Sequence, residues 1–518
     1  MVRAYKVVDL FAGPGGLAEG FSSVLENGER VFNIAMSVEM DADAHRTLSL
    51  RSFTRQFPPK KLPDEYYQFI AGTISQDELL NAYPVEWKEA KKETLRATLG
   101  TPDAARLLNP EIDRIRKSSK GRTILIGGPP CQAYSIVGRA RNKGNSEYNA
   151  EDDGRHYLYR EYIDILDRLR PAAFVMENVK GILSSEISGS GIFECILKDL
   201  ESVGNDNGGY RLLALAPNRN GKLVSSDRPS PRDYIVRAEE HTIPQARHRV
   251  FVVGLRADVA ENLDDTDLEA LLQFSEPTCL EQVLSGFPEV RSGLSRKDSL
   301  EEWQQAVREA TELLTSVSIK TGTAAEGKMW KKTVNNIKEF HKSKNKTLPR
   351  RGSSYETRTI KKEMPPALGD FLVDEKLPVL TQHETRGHMK SDLARYLFCS
   401  TFCEVYGRPP KALDFPDELA PNHRSWTTGK FADRFRVQSR GKPSKTITSH
   451  ISKDGHYYIH PDPKQCRSLT VREAARLQTF PDNYLFLGNR TQQYVQVGNA
   501  VPPFLAKQIA EALAELLP

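Results

Sequence analysis

The sequence predicts an α/β fold, a doubly wound and mostly parallel sheet with a second, smaller domain. Three observations predict it. Short apolar runs alternate with stretches of helical periodicity through the first half of the chain. That alternation stops after Leu255. The 518 residues also exceed the roughly 250 to 300 at which a single hydrophobic core stops growing.

The first run, KVVDLFAGPGG, reads as a strand that ends in a glycine turn, and LAEGFSSVL behind it has helical spacing. The second run, VFNIAMSVEMD, closes on Glu39 and Asp41 and precedes another helical stretch, which makes a parallel βαβ unit. TILIGGPPC, the helix REYIDILDRLR, the strand AAFVMENV and the strand RVFVVGL continue the pattern. A charged, helix-like insertion over about 51–120 reads as a surface elaboration. These runs give a first domain over 1–255, a second over 256–440, and a return to the first over 441–518. The last helix, FLAKQIAEALAELL, offers Phe504, Leu505, Ile509, Leu513 and Leu516 to one packed face.

Composition excludes several classes. With 39% hydrophobic and 27% charged residues, no stretch is apolar enough to span a bilayer, so no membrane partner is expected. The amino terminus runs directly into a strand, leaving no room for a signal peptide, and an intracellular protein is expected. Cys131, Cys195, Cys279, Cys399, Cys403 and Cys466 contain no CxxC pair, so neither a disulfide framework nor a zinc site is expected. Cys399 and Cys403, four apart, share a helix face and read as core. His450, His456 and His460 lack a ligand set, and no metal is assigned.

The net charge of +5 is too small to show nucleic-acid binding by itself. Its distribution says more. Between Glu326 and Lys362 twelve Lys and Arg face only Glu326, Glu339 and Glu356, interleaved with Trp330, Phe340, His341 and Tyr355. This segment reads as a phosphate-tracking surface in the second domain.

The chemistry-bearing residues lie at strand ends. GGPPCQAYS places Cys131 beyond the carboxyl end of an apolar strand, where ligands of open α/β sheets bind. Pro129 and Pro130 restrict the backbone there, and neighbouring positive charge would favour the thiolate. AAFVMENVKG delivers Glu177 and Asn178 to the same edge. In IPQARHRVFVVG, Arg247 and Arg249 stand two apart, so both can face one side of extended chain, with Gln245 before them.

Six of these segments together resemble the DNA cytosine-5 methyltransferase family. DLFAGPGG, GGPPCQAYS, MENVKG, PQARHR, SLTVREAARLQTFPD and QVGNAVPP are similar to its first, fourth, sixth, eighth, ninth and tenth motifs, in order, from Asp9 to Pro503. The resemblance implies the Rossmann-like fold of S-adenosylmethionine-dependent methyltransferases with a target-recognition domain, in the pattern of stand-alone, Dcm-like bacterial enzymes. It implies transfer of a methyl group to C5 of a flipped-out cytosine in a specific duplex sequence, with S-adenosylhomocysteine as product. Cys131 is then the nucleophile at C6, Glu177 the partner of N3, Arg249 the contact to O2, Arg247 a contact to the catalytic loop and DNA backbone, and Asn178 the holder of the Pro-Cys loop. Gln132 and Ser135 fall near the flipped nucleotide's backbone, and the loop Ser135–Arg155 would close over DNA.

On the cofactor side the resemblance implies Asp9, Phe11, Ala12, Gly13, Gly15 and Gly16 in the turn, Glu39 on the ribose, Met40 against adenine, and Pro129, Asn499 and Ala500 around the pocket. The third motif departs from the family: AGTIS is the nearest match, with Thr73 where an acidic residue is usual, leaving the Thr73 hydroxyl or the backbone of Ile74 for the adenine contact. Double-stranded DNA is the expected partner, a monomer the expected state, the bacterial cytoplasm and nucleoid the expected place, and restriction-modification or another antiphage system the expected setting. Two other readings share these residues. A transfer RNA cytosine-5 methyltransferase would carry Cys-Phe-Thr before the ninth motif, where this chain has Cys399-Ser400-Thr401. An inactive DNA-binding homologue would have lost Cys131, Glu177 or Arg249, and all three are present.

Overall fold

The computed structural model describes residues 4–130, 158–187, 190–204, 209–216, 229–264, 271–317, 322–343, 348–353, 355–356, 363–421, 426 and 434–518. The chain forms two compact units: Met1–Tyr66, Ile74–Glu276 and Ala500–Pro518 in the first, Tyr67–Thr73 and Pro277–Asn499 in the second. Residues 441–499, read from the sequence as part of the return to the first domain, thus cluster with the second unit.

The first unit is built on an eight-stranded sheet. Its strands are β1 (Tyr5–Leu10), β2 (Phe32–Glu39), β3 (Thr94–Arg96), β4 (Thr123–Gly127), β5 (Ala173–Val179), β6 (Tyr210–Leu213), β7 (Ile235–Arg237) and β8 (His248–Arg256). The order is β6-β8-β5-β4-β1-β2-β3, with β7 also on β8. β1 to β5 are mutually parallel, whereas β8 runs antiparallel to β5, β6 and β7. The helices α1 (Gly16–Ser22), α2 (Ala42–Arg55), α3 (Pro102–Ser119), α4 (Leu158–Leu169) and α5 (Ile192–Ser202) alternate with these strands. Central strands are buried almost throughout, TILIG completely so, as expected when helices cover both faces of a parallel sheet.

Two local features follow from side-chain chemistry. Asp41 caps α2 by accepting from the Asp43 and Ala44 amides, which stops β2 where the helix must start. The C-terminal helix, Pro503–Leu516, buries Phe504, Leu505, Ile509, Leu513 and Leu516 together with Ala506, Ala510 and Ala512.

Residues 51–120 are not the surface elaboration that their charge suggested. Thr94–Arg96 pairs in parallel with Ser37–Glu39, so the insertion carries a strand of the central sheet. α3 buries Ala104, Leu108, Ile112 and Ile115 in the main core. A three-residue Thr-Leu-Arg strand shows no period of its own and takes its conformation from β2.

The second unit packs α6 (Leu300–Ser316), α7 (Ala324–Lys342) and α8 (Lys390–Tyr406) around one core that includes Trp303, Val307, Leu314, Trp330, Val334, Ile337, Leu397, Phe398 and Phe402. Ser299 and Thr323 cap α6 and α7 by accepting from the Glu302 and Glu326 amides. Cys399 and Cys403 are buried in this core. So are Trp330 and His341, which corrects their reading as aromatics interleaved on a phosphate surface. Two further helices, α9 (Val471–Leu477) and α10 (Arg490–Asn499), follow. Before α9, Arg467 makes two hydrogen bonds, of 2.6 and 2.7 Å, to the fully buried Glu473 carboxylate. Burial would raise that carboxyl, but the guanidinium overrides burial and holds it far below the ordinary range.

Candidate active site

The chain leaves β1 towards β2 and β3 on one side, then returns to β4 and β5 on the other. The loops after β1 and β4 therefore part at the switch point of the sheet, where an open crevice forms at the carboxyl ends. Phe11–Gly15 occupies one side of that opening and Gly128–Pro130 the other.

The turn after β1 is held in unusual backbone geometry. Phe11, Gly13 and Gly15 have φ of 56°, 57° and 99°. A left-handed φ at a bulky residue such as Phe11 persists only where its surroundings enforce it. The glycines differ in purpose. A Cβ on Gly13 would meet nothing within 4 Å, which leaves an open cradle above the turn. A Cβ on Gly16 would lie 2.3 Å from the Val501 carbonyl oxygen, and one on Gly20 would lie 2.5 Å from Ala506 Cβ. Gly16 and Gly20 therefore let α1 lie directly against the C-terminal segment.

Glu39 closes the cradle from β2. Its Oε2 accepts from the Gly13 amide at 2.7 Å and its Oε1 from the Asp41 amide at 2.7 Å. Each oxygen retains a further lone pair for an outside donor. Burial raises this carboxyl, and the two amide donors oppose the shift. Met40 follows, 59% exposed, an apolar side chain at the sheet's carboxyl edge. Asp9 is fully buried in β1, and burial pushes its carboxyl well above the ordinary range against the pull of Arg55. Thr73 and Ile74 lie off the sheet, ahead of the helix Gln76–Ala82. The strand beside Glu39 is β3, with Arg96 in register with Glu39 and the Ala97 amide donating to the Glu39 carbonyl at 3.2 Å.

The second edge is built from β4, β5 and β8. A Cβ on Gly127 would lie 2.5 Å from the Leu10 carbonyl oxygen, and one on Gly128 would lie 2.9 Å from Glu177 Oε2. The doublet thus lets β4 run out close to both neighbours. Asn178 Nδ2 donates to the Pro129 carbonyl at 3.1 Å, while its Oδ1 accepts from the Val179 amide at 2.8 Å. Arg249 Nε pairs with Glu177 Oε1 at 2.9 Å. Burial lowers the proton affinity of that guanidinium and Glu177 restores part of it.

Arg247 and Arg249 meet different partners. β8 begins at His248, so the alternation expected of extended chain does not reach Arg247. Arg247 is 2% exposed, and its Nη2 donates to the Ala500 carbonyl at 2.9 Å. Asn499 ends α10 and belongs to the second unit; Ala500 belongs to the first. Cys131, Gln132, Ser135 and the loop Ser135–Arg155 lie outside the described residues. Among the described residues no group of His, Cys, Asp and Glu is placed to hold a metal ion, and no helix is long and apolar enough to cross a membrane.

The family model for C-5 cytosine-specific DNA methylases matches residues 81–515. The chain belongs to this family. The methylase is 29% identical to the type II methyltransferase M.Bpa9945I of Bacillus paralicheniformis over 99% of both chains. It is 27% identical to the DNA (cytosine-5-)-methyltransferase M.ApeKI of Aeropyrum pernix over 83% of this chain and 88% of that one. Among solved structures, a putative DNA modification methyltransferase encoded within an Escherichia coli prophage is similar in fold, with a TM-score of 0.52, 20% identity and 99% coverage of each chain.

Some residues that shape this methylase's site were not singled out in the sequence. Gly128 and Gly20 allow close approaches that no periodicity reports, although the GGPP doublet and the four-residue spacing of Gly16 and Gly20 were legible signals. β3 had no such signal.

Proposed function

We propose that the protein transfers a methyl group from S-adenosylmethionine to C5 of a cytosine swung out of duplex DNA, through a covalent bond between Cys131 and C6. The observation that supports this best is the paired Glu177 and Arg249 at the edge where Asn178 fixes the Pro129 carbonyl, two residues before Cys131. A carboxyl and a guanidinium held together can address N3 and O2 of one pyrimidine.

The residues around the β1 turn suit the cofactor. Glu39 keeps lone pairs for ribose hydroxyls, Met40 offers an exposed apolar surface for adenine, and Gly13 leaves space for close approach. Phe11, Ala12, Gly15, Pro129 and Ala500 complete the proposed pocket. S-Adenosylmethionine, when bound, supplies the electrophilic methyl group. The chain's own part is to make C5 nucleophilic. The Cys131 thiolate adds to C6, Glu177 supplies a proton or hydrogen bond at N3, and Arg249 stabilises charge at O2. Methylated C5 then loses its proton, the C6–S bond breaks, and the thiolate is regenerated.

The type II methyltransferases among its relatives support a role beside a restriction enzyme or another antiphage system, in the bacterial cytoplasm. A duplex carrying 5-fluorocytosine at the target site tests the mechanism, because fluorine cannot leave C5 as a proton does. The expected result is a covalent protein–DNA complex that Cys131→Ser abolishes. Methyl transfer by Cys131→Ser at the parental rate would overturn the assignment. Bisulfite sequencing of DNA from expressing cells identifies the target sequence.

A further inference from the structure

We propose that the outer face of α7 in the second unit is a sequence-independent phosphate-binding surface for duplex DNA, formed by Lys328, Lys331 and Lys332. The proposal rests on reading the protein as a methylase of duplex DNA. All three lysines are exposed, and their i, i+3, i+4 spacing puts them on one side of the helix. The opposite side carries Trp330, Val334 and Ile337 into the core, which fixes the rotation of α7 and therefore the direction in which the lysines point.

Charge segregation makes this face different from a merely solvated one. α6 packs on the same core, yet its exposed residues include Glu301, Glu302, Glu309 and Glu312 with Arg308 as the one exposed base among them. On α7 the signs are reversed: Lys328, Lys331, Lys332 and Lys342 are exposed against Glu339, with Asn335 continuing the lysine stripe. Solvation favours mixed signs, because opposite charges at i, i+4 stabilise a helix by a few tenths of a kcal/mol and like charges cost similar amounts. Three neighbouring lysines without an acidic partner between them are self-repelling in the free protein. A polyanion removes that repulsion, and a duplex carries one charge per roughly 1.7 Å of its axis. Trp330 and His341 are buried, so the face lacks the aromatic platform on which unpaired bases stack. That favours duplex over single strands.

The test is the salt dependence of duplex binding by the full chain. The triple variant Lys328→Gln, Lys331→Gln, Lys332→Gln is expected to lower the slope of log K against log salt by nearly three, at about 0.9 per lost phosphate contact. The loss should be equal for target and non-target duplexes, because phosphates carry no sequence. The matching triple Arg variant is expected to keep the parental slope, and Glu301→Gln with Glu309→Gln to leave it unchanged. An unchanged slope in the Gln variant, while the parent methylates and binds duplex DNA, overturns the surface and leaves the proposed activity standing. A slope change confined to RNA also overturns it. A parent that neither binds nor methylates duplex DNA overturns both readings together.

Discussion

Arg249 Nε stands 2.9 Å from Glu177 Oε1, joining two antiparallel strands in which Phe251 is the register partner of Glu177 and Val179 that of Arg249. The antiparallel register brings the two residues side by side on neighbouring strands. Glu177→Gln keeps the shape and removes the titratable proton. The expected outcome is a fall in kcat of about 10² to 10⁴, the range for a lost general acid. Single-turnover methyl transfer measures it, and a loss below tenfold would remove Glu177 from the chemistry.

Glu39 accepts from two backbone amides and is expected to serve ribose hydroxyls as well. In Glu39→Gln one amide donor must face an NH₂ group, and the charge that strengthens each bond is gone. Hydrogen bonds to charged groups contribute about 1.5 to 3 kcal/mol, so S-adenosylmethionine should bind roughly 10- to 100-fold more weakly. Calorimetric titration of the variant against the parent reads this directly.

The contact of α1 with the C-terminal segment makes a stability prediction. Gly20→Ala would force a methyl group to 2.5 Å from Ala506 Cβ, the Lys507 amide nitrogen and the Pro503 carbonyl oxygen. Overpacking of this kind costs about 1 to 3 kcal/mol. Gly441→Ala, at an exposed position where a Cβ would meet nothing within 4 Å, is the control and should change stability by no more than about 0.5 kcal/mol. Urea unfolding of both variants makes the comparison.

His341 packs edge-on against Trp303 in the core of the second unit, and burial lowers its pKa from 6.5 to about 4. Between those values the unfolded chain binds a proton that the folded chain does not. Its contribution to stability is therefore complete above about pH 6.5 and declines as pH falls toward 4. His388 and His460 are shifted in the same direction, so His341→Leu should lessen the acid sensitivity without abolishing it. Unfolding midpoints at pH 7.5 and 5 provide the measurement.

Much of the fold was legible because its central strands are apolar and its helices amphipathic. TILIG and AFVMENV declared themselves by composition, and the residues at their carboxyl ends lie where an α/β sheet leaves its crevice. The chain order of the motifs identified the family before any contact was known. Local pattern therefore determined the long central strands and which polar residues they deliver.

Tertiary structure decided what depends on neighbours distant in sequence. β3 is a strand because β2 offers it an edge, and its three residues could not say so alone. Arg247 and Arg249 look equivalent in PQARHR, yet one is tied to Ala500 and the other to Glu177. Gly13 and Gly16 occur in one turn, but only the packing of Val501 separates open space from close contact. On α7 the core took Trp330 and His341 and left the lysines outside. The common reason is that backbone propensity acts over a few residues, whereas burial and partner choice are set by whichever surface the folded chain brings opposite.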